Sequence, residues 1–524
     1  MTRTKNLYAV DLFCGAGGFS EGILQAGFNI LFSSDRSEFV QKTYMHRHEQ
    51  LGLIQDQNTH FELTDIRELT TKRILECINK LPEIQKKFSV GDVDVIFGGP
   101  PCQGFSRLGK RDAKDPRNML FHEYLRIISG LKPKYVVMEN VSGFMDMQML
   151  DFPSILTNKE IYQGQHLVKN ILQQELVELG YTVLEPCILN ASEFGVPQSR
   201  NRAIFLAYRT DMRSLEYPTK LEKKITVREA LANLNNNISS EYGLDSEKGR
   251  TPGNKNGKSV TRTNITNIEN SKHSGVISQR FGLYKQGENT KNVIKRLRIE
   301  GANIRQSSTD LFFEAVFIYN ESFNMRIIKK IMKLNNIYEK RFEGIDKEEE
   351  RSWFRFTNKS LSKLFCDEDM GIDISVLVKK FAKRLNIETD TAKTILRILK
   401  RELNEVTSDE IEKKLIIGDI DEALAEALLT KKAIRQRING EGVAPTVVTV
   451  ADDFIHPYEN RTITVREMAR FQSFDDSFEF IGKRTTGGLK RRTEVPQQTQ
   501  VGNAVPPLLA KAIAMSVKRA LLNR

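Results

Sequence analysis

Short apolar runs alternate with amphipathic segments along roughly the first 210 residues of the chain. Segments 119–131 and 166–179 repeat apolar residues at helical spacing. The runs that have the length and composition of strands are LYAVDLF, NILFSSD, VDVIFGG, KYVVMENV, YTVLEPCIL and RAIFLAYR. Strands alternating with helices predict an α/β fold with a mostly parallel sheet flanked by helices.

The pattern changes twice after this region. Residues 236–270 are rich in Asn, Gly, Ser and Lys and predict a loop and linker, whereas residues 285–440 are Lys-rich and helical in pattern. Apolar runs return after residue 445 and end in a helix predicted from about Pro507. We therefore expect a first segment 1–235, a separate region 236–445 and a return segment 446–524.

A near-repeat, ITVREAL and ITVREMA, begins at Ile225 and at Ile463. Each copy places a threonine three residues before a glutamate and ahead of a helical pattern, which is the arrangement of a capping box. Both copies predict helix starts, and local capping explains the repeat without internal duplication.

Composition narrows the class of protein. The length of 524 residues allows two to four domains, and a hydrophobic content of 40% is enough to form buried cores. No apolar run is long enough to span a bilayer. A formal charge of +12 favours a polyanionic partner, although a merely basic soluble protein fits as well. The five cysteines, Cys14, Cys77, Cys102, Cys187 and Cys366, include no CxxC pair. They suggest neither a disulfide framework nor a metal site, and we expect a soluble protein of the reducing cytosol.

The segment DLFCGAGGFSEG follows the first predicted strand. Gly15, Gly17 and Gly18 would form a tight strand-to-helix turn, and Asp35 lies about 20 residues further on, where an acid would bind ribose hydroxyls. The spacing departs from GxGxxG, which argues against a pyrophosphate cofactor such as NAD. A ribose-bearing cofactor without pyrophosphate fits both observations, and a turn without any ligand is the alternative.

The segment FGGPPCQGFS follows another predicted strand, so Cys102 would lie at the carboxyl end of the sheet, where such sheets bind ligands. Pro100 and Pro101 restrict the backbone, and the flanking glycines permit close approach of a ligand. Such a loop presents a thiol, whose thiolate is the reactive form. A small buried cysteine is the alternative, and it does not suit a loop of this composition.

Two further candidates lie at strand ends. Glu139 ends the run KYVVMEN and would face the same crevice as Cys102. Arg200 and Arg202 precede the run RAIFLAY as an i, i+2 pair that could project to one side and contact phosphates or base edges. The alternatives are a solvated strand cap and ordinary surface arginines.

Together these segments resemble the cytosine-carbon-5 DNA methyltransferases of bacterial restriction-modification systems. Six blocks match in the order of the family: DLFCGAGGFS, GGPPCQGFS, MENV, QSRNR, REMARFQSFDD and QVGNAVPP. The resemblance covers roughly residues 7–210 and 445–520. It implies a Rossmann-like methyltransferase sheet with helices on both faces and a separate, largely helical target-recognition domain in the unmatched middle.

The resemblance also implies a chemistry. The Cys102 thiolate would add to carbon-6 of a cytosine flipped out of double-stranded DNA, so that carbon-5 can take a methyl group. Glu139 would hold ring N3 and the exocyclic amine, while Arg202 would contact the carbonyl oxygen with support from Arg200. Residues 103–111 would form a loop that closes over the flipped base.

The cofactor implied by the resemblance is S-adenosylmethionine. Its implied contacts are Phe13 with the adenine, Gly15, Gly17 and Gly18 with the methionine end, Asp35 with the ribose, Asp65 with the adenine amine, and Pro100, Leu120, Asn503 and Val505 with the rest of the pocket. Further implications are a monomer in the bacterial cytoplasm, associated with the nucleoid through DNA, and a cognate endonuclease that acts separately.

Three other functions compete with this interpretation. An RNA cytosine methyltransferase shares the catalytic blocks but generally lacks a long insert such as the roughly 190 residues here. A non-catalytic DNA-binding scaffold would be expected to lose at least one of Cys102, Glu139 and Arg202. An NAD-dependent oxidoreductase would share the fold alone. The target DNA sequence cannot be predicted, because base readout depends on a few side chains that no motif identifies.

Overall fold

The structure is a computed structural model of the chain. It describes residues 6–101, 119–156, 161–234, 238–334, 336–354, 374–404, 407–429, 434–449, 453–486, 490 and 493–522. Internal contacts divide the chain into two compact units. Unit 1 comprises Met1–Glu269, Asn439–Ala451 and Ile463–Arg524, and unit 2 comprises Asn270–Ile438 and Asp452–Thr462. Both ends of the chain therefore belong to unit 1.

Unit 1 is built on a sheet of strands in the order β3-β2-β1-β4-β5-β10-β8, with β9 also pairing with β10. The strands from β3 to β5 are parallel, and β10 is antiparallel to its neighbours. A separate hairpin joins β6 and β7. The bounds are β1 Tyr8–Leu12, β2 Asn29–Asp35, β3 His60–Leu63, β4 Val95–Gly98, β5 Tyr135–Val141, β6 Gln148–Pro153, β7 Ile161–Leu167, β8 Tyr181–Val183, β9 Cys187–Asn190 and β10 Asn201–Arg209.

Every strand predicted in the first 210 residues is present, and the α/β fold is confirmed. The unit 1 helices are α1 Gly18–Gln25, α2 Glu38–Gln50, α3 Thr71–Lys80, α4 Leu120–Leu131, α5 Val168–Glu178, α6 Val227–Leu231, α7 Glu241–Lys248, α18 Val465–Phe471, α19 Gln497–Asn503 and α20 Pro507–Leu522.

Helices cover both faces of the sheet, so its central strands are apolar on both sides. In β4, Ile96 packs into the cluster that contains Ile74 of α3, while its neighbour Phe97 packs into the opposite cluster with Ile23 of α1. The C-terminal helix α20 contributes Ile513 to that second cluster. The C-terminal helix thus packs in the same core as the first strands.

The crossovers reverse direction between β1 and β4, because β2 and β3 lie on one side of β1 whereas β4 and β5 lie on the other. In open α/β sheets, ligands bind at the carboxyl ends of the strands at such a switch point. The loops after Leu12 and after Gly98 leave the sheet at this position.

Both predicted capping boxes are present. The Thr226 hydroxyl accepts the Glu229 N–H at 3.2 Å, and the Glu229 carboxylate accepts the Thr226 N–H at 2.8 Å. Thr464 and Glu467 repeat the arrangement at 3.2 and 2.7 Å. These pairs begin α6 and α18, so the near-repeat has a local cause.

The prediction of a loop and linker over residues 236–270 is wrong for its first part. Helix α7 lies within it, and contacts assign the stretch up to Glu269 to unit 1. Tyr242 donates its hydroxyl hydrogen to the Arg470 carbonyl at 2.7 Å, and Arg250 donates to Asp475 at 2.8 Å. Polar anchors of this kind produce no apolar periodicity, which is why the sequence pattern missed them.

Unit 2 is largely helical, as predicted for residues 285–440. Its helices are α8 Gly275–Gly282, α9 Thr290–Glu300, α10 Ile304–Ser307, α11 Thr309–Tyr319, α12 Glu321–Leu334, α13 Tyr338–Phe342, α14 Ile374–Leu385, α15 Thr389–Asn404, α16 Thr407–Ile417 and α17 Glu422–Leu429, and its short strands are β11 Gln436–Arg437 and β12 Phe454–Ile455. It holds two apolar clusters, one around Phe312 and Leu424 and one around Phe342 and Phe381. No helix in the described ranges is long and apolar enough to cross a bilayer.

Candidate active site

The turn after β1 places Phe13 and Gly15 at a cavity of about 580 Å³. Both residues have positive φ angles, 57° and 54°. This region is costly for a residue with a side chain, so a phenylalanine there is held by its surroundings, as is common at ligand sites. The turn forms because the Gly17 N–H donates to the Cys14 carbonyl at 3.0 Å just before α1 begins.

Gly17 and Gly18 do not line this cavity. Gly17 adopts a φ of 96° as the residue that caps α1, and a Cβ there would touch Tyr44. A Cβ on Gly18 would overlap the carbonyl oxygen of Val505. Both glycines therefore allow close backbone packing behind the turn, whereas Gly15 alone of the three borders the cavity.

Two carboxylates predicted for the cofactor also border the cavity. Asp35 accepts the N–H groups of Gly15 at 3.1 Å and Ser37 at 2.9 Å, and burial raises its pKa despite these bonds. The Arg67 guanidinium donates two hydrogen bonds to the Asp65 carboxylate, at 2.8 and 2.7 Å, and these bonds lower the pKa of Asp65 to about 2. Asp35 thus ties β2 to the turn, and Asp65 is ionised at neutral pH.

The loop after β4 reaches the cavity with Pro100 and Pro101, and Leu120 at the start of α4 lines it as well. The Asn140 side chain donates to the Pro100 carbonyl at 3.1 Å and holds the loop against β5. Cys102 and the loop 103–111 lie outside the described residues. The predicted nucleophile therefore directly follows a cavity residue in sequence.

Glu139 and Arg202 form an ion pair at the cavity. Antiparallel pairing sets Val141 of β5 opposite Arg202 of β10 and Glu139 opposite Ile204, so both side chains can reach the same end of the sheet. The Arg202 Nε lies 2.5 Å from Glu139 Oε1, with 11% and 10% of the two side chains exposed. The pair is preformed and mostly shielded from water.

Arg200 also borders the cavity, but its guanidinium is directed at the main chain. The residue is 2% exposed. Its Nη1 donates to the Val447 carbonyl at 3.1 Å, and its Nη2 donates to the Gly502 carbonyl at 2.8 Å. Arg200 therefore connects three segments of unit 1 that are far apart in sequence.

Asn503 and Val505 line the cavity from the far end of the chain. Buried carboxamides hold this segment, because Gln472 donates to the Val501 carbonyl at 2.8 Å and Gln198 donates to Gln472 at 2.9 Å. Gln198 also accepts the Val447 N–H at 2.9 Å. These hydrogen bonds hold residues from distant parts of the sequence together on one side of the cavity.

The sequence analysis missed several cavity residues. These are Arg36, Ser37 and Val40 after β2, Thr446, Val447, Val448 and Thr449 in the return segment, and Gln500 in α19. The 446–449 stretch carries no motif and enters the site only through its pairing with residues 198–200. No local signal could have identified it, whereas residues 36 and 37 directly follow a predicted site residue.

Comparison with known proteins agrees with this geometry. The sequence matches the family profile described as C-5 cytosine-specific DNA methylase over residues 7–519. It is 27% identical over 514 residues to the type II methyltransferase M.DdeI of Desulfomicrobium norvegicum, covering 96% of this chain and 87% of that one. It is 26% identical over 519 residues to the type II methyltransferase M.AgeI of Thalassovita gelatinovora, covering 98% and 99%.

A solved structure shares the fold. It is described as a candidate DNA modification methyltransferase encoded within a prophage of E. coli, and it aligns with a TM-score of 0.54 at 19% identity over 99% of this chain and 100% of that one. Since the family profile spans nearly the whole sequence, the chain belongs to the C-5 cytosine-specific DNA methylase family and is a DNA (cytosine-5-)-methyltransferase.

Proposed function

We propose that the chain transfers a methyl group from S-adenosylmethionine to carbon-5 of a cytosine flipped out of a short, specific double-stranded DNA sequence, through a covalent Cys102 adduct. The observation that carries the proposal is the cavity of about 580 Å³ in unit 1. The preformed Glu139–Arg202 pair borders it together with the residues predicted for the cofactor other than Gly17 and Gly18, and Pro101, the residue before Cys102, borders it as well.

The cofactor would lie over the β1 turn. S-adenosylmethionine would supply an electrophilic methyl group on its sulfonium. Apolar side chains of Phe13 and Leu120 border the cavity beside the carboxylates of Asp35 and Asp65, which suits a purine ring with a ribose and an amine. Each carboxylate oxygen retains a lone pair for the ligand although backbone or Arg67 donors already occupy it. We propose Gly15 as a direct contact, and Gly17 and Gly18 as residues that shape the turn.

The cytosine would enter at the Glu139–Arg202 pair. Before it binds, each charge neutralises the other. The base offers its amine hydrogens to a Glu139 oxygen and its carbonyl oxygen to the guanidinium. Its N3 is an acceptor that would take a hydrogen bond from a proton on the Glu139 carboxyl group, so the base can separate the pair and leave both groups hydrogen-bonded. Glu139, by sharing a proton with N3, and Arg202, by donating to the carbonyl oxygen, would thus favour addition of the Cys102 thiolate at carbon-6, because both offset the negative charge that develops on the ring.

After addition, carbon-5 would form a bond to the methyl group as the methyl–sulfonium bond breaks and a thioether is released, and transfer of the carbon-5 proton to a base would then allow the Cys102 sulfur to leave as a thiolate. Arg200 would act as a positioning residue because its guanidinium contacts main-chain carbonyls. The loop 103–111 would close over the base.

The other cysteines support Cys102 as the nucleophile. Burial raises the pKa of the Cys14 thiol, of Cys77 to about 11, and of Cys187. Among the cysteines in the described residues, none has the lowered pKa expected of an activated thiol.

The biological role we propose is protection of host DNA in a restriction-modification system, because the relatives named above are type II methyltransferases. We propose further that the enzyme is a monomer that works in the cytoplasm at the nucleoid, and that a cognate endonuclease acts separately. Residues 236–445 were expected to form the target-recognition region, and we propose that role for unit 2.

The test is base-resolution cytosine-methylation sequencing of genomic DNA from a methylation-free bacterial host that expresses the chain. We expect near-complete carbon-5 methylation at one short motif, and none with Cys102→Ala. Purified Cys102→Ala should still bind duplex DNA. Methylation by that variant would refute the nucleophile, and absence of carbon-5 methylation with folded wild-type protein would refute the proposed substrate.

A further inference from the structure

The Lys-rich helices of unit 2 differ in what their cations contact. On α9, Arg296 pairs with Glu288 at 2.7 Å and Arg298 with Glu422 at 3.4 Å. Just after it, Arg305 pairs with Glu412 at 2.7 Å. A cation already bound to a carboxylate has less to gain from a phosphate, because the existing pair must first be broken.

Helices α14 and α15 are different. Residues 374–404 contain eight Lys or Arg against three Asp or Glu. Four of these cations have described, exposed side chains: Lys379, Lys383, Lys393 and Arg397. Within the described residues, none of the four forms an ion pair, whereas all three arginines of α9 and α10 do; of the cations on α9, Lys291 and Lys295 are also without an ion pair to a described residue. This part of unit 2 therefore presents positive charge that the described protein does not neutralise.

The two helices are consecutive and are joined by a turn of three residues, 386–388. Helix α14 ends in a Schellman motif, because the Ile387 N–H donates to the Ala382 carbonyl at 3.0 Å and Asn386 has a φ of 55°. Helix α15 then begins at Thr389. Asparagine tolerates this left-handed conformation, so the turn geometry follows from the sequence.

The inner faces of the pair are fixed by packing. Phe381 of α14 joins Ala392 and Ile395 of α15 in the cluster that includes Ile328 and Met332 of α12. On α15, the described side chains of Thr389, Asp390, Lys393, Thr394 and Arg397 are exposed. Lys393 and Arg397 are exposed and four residues apart, so they lie on one face of α15, which also carries the exposed Asp390 and Thr394.

We infer that α14 and α15 form a DNA-contacting helix–turn–helix, in which Lys393 and Arg397 bind phosphates of the duplex substrate. The inference rests on the proposed function, which makes duplex DNA the substrate. In helix–turn–helix units the second helix approaches the groove while nearby cations bind the backbone. Lys393 and Arg397, exposed on one face of the second helix, are placed to make such backbone contacts.

The test is duplex binding by fluorescence anisotropy at a series of KCl concentrations, using labelled duplexes with and without the target sequence. The slope of log affinity against log salt changes by about 0.9 for each phosphate contact. For Lys393→Gln/Arg397→Gln we therefore expect a slope shallower by roughly 1.8 and several-fold weaker binding to both duplexes. The charge-preserving variant Lys393→Arg/Arg397→Lys should retain the wild-type slope.

The matched control is Lys285→Gln/Arg305→Gln, which removes two charges from the same unit that are already paired with Glu300 and with Asp409 and Glu412. Its slope should stay close to that of wild type. If the slope changes equally in the control and test variants, or does not change in the test variant, the inference is overturned. Lys393 and Arg397 would then be assigned to binding of an acidic protein partner. A loss confined to the target duplex would overturn the phosphate assignment. Failure of the wild type itself to bind duplex DNA would instead contradict the proposed function.

Discussion

The buried ion pair between Arg470 and Asp476 should stabilise unit 1 far more than an exposed pair of the same geometry. Arg470 donates to Asp476 at 2.5 and 2.7 Å, and neither side chain is exposed. Arg262 donates to the same carboxylate at 2.8 Å. We expect Asp476→Asn to leave the buried Arg470 guanidinium without its anion, and Arg262 with Glu247 alone, and to lower the free energy of unfolding by about 3–5 kcal/mol.

The matched control is Asp211→Asn. Arg209 donates to Asp211 at 2.6 and 3.0 Å, so this pair is also bidentate, but 63% of the Asp211 side chain is exposed. Exposed pairs contribute about 0.2–1 kcal/mol, because water and salt screen them. The two substitutions remove the same charge from a bidentate arginine contact, and the pairs differ in burial and in the additional Arg262 contact of Asp476.

Urea unfolding at neutral pH, followed by circular dichroism, measures both variants against wild type. Losses of unfolding free energy that agree within about 1 kcal/mol would refute the argument from burial. A pH series adds a second check. Burial alone would raise the pKa of Asp476, but hydrogen bonds from Arg470 and the charges of Arg466 and Arg262 outweigh it and lower that pKa. The advantage of wild type over Asp476→Asn should therefore be full above about pH 4 and should shrink as the pH falls through the lowered pKa.

Three further substitutions test other parts of unit 1. Gly22→Ala should lower the melting temperature in calorimetry, because the added Cβ would overlap Ala510 and the Lys511 backbone where α1 crosses α20, at a cost of about 1–3 kcal/mol; an unchanged melting temperature would contradict this close crossing. Gly18→Ala should weaken S-adenosylmethionine binding several-fold in isothermal titration, because its Cβ would displace the Val505 carbonyl beside the cavity. Binding with wild-type affinity would show that the backbone accommodates the added Cβ without disturbing the cavity. Burial raises the pKa of Asp11 to about 7. Asp11→Asn should therefore gain stability relative to wild type as the pH rises from about 4 to 7. If urea unfolding gives parallel curves of stability against pH for the two proteins, the raised pKa of Asp11 is refuted.

Local chemistry made much of the fold predictable. The capping boxes at Thr226 and Thr464 lie within four residues of sequence each, and both were found as predicted. The strands before residue 210 were recognisable because a sheet covered on both faces requires continuous apolar runs. Strand-end residues such as Asp35 and Glu139 could be placed at one edge, since the carboxyl ends of parallel strands meet there.

Contacts between distant segments were not predictable in the same way. Residues 236–269 appeared as a linker because their anchors, Tyr242 and Arg250, contact residues more than 200 positions away. Arg200 was expected to support Arg202, but its contact with the Val447 and Gly502 carbonyls was not foreseen. Gly17 and Gly18 share a motif with Gly15, yet they serve packing behind the cavity.

The sequence by itself determined the strands, the capped helix starts and the family, because propensity, capping and motif order are properties of contiguous residues. Only the tertiary structure decided which residues share the cavity wall, which arginine pairs with Glu139 and which basic helices keep their charges unpaired. These depend on distances between side chains from separate segments, and such distances arise only when the return segment and C-terminal helix pack onto the first strands.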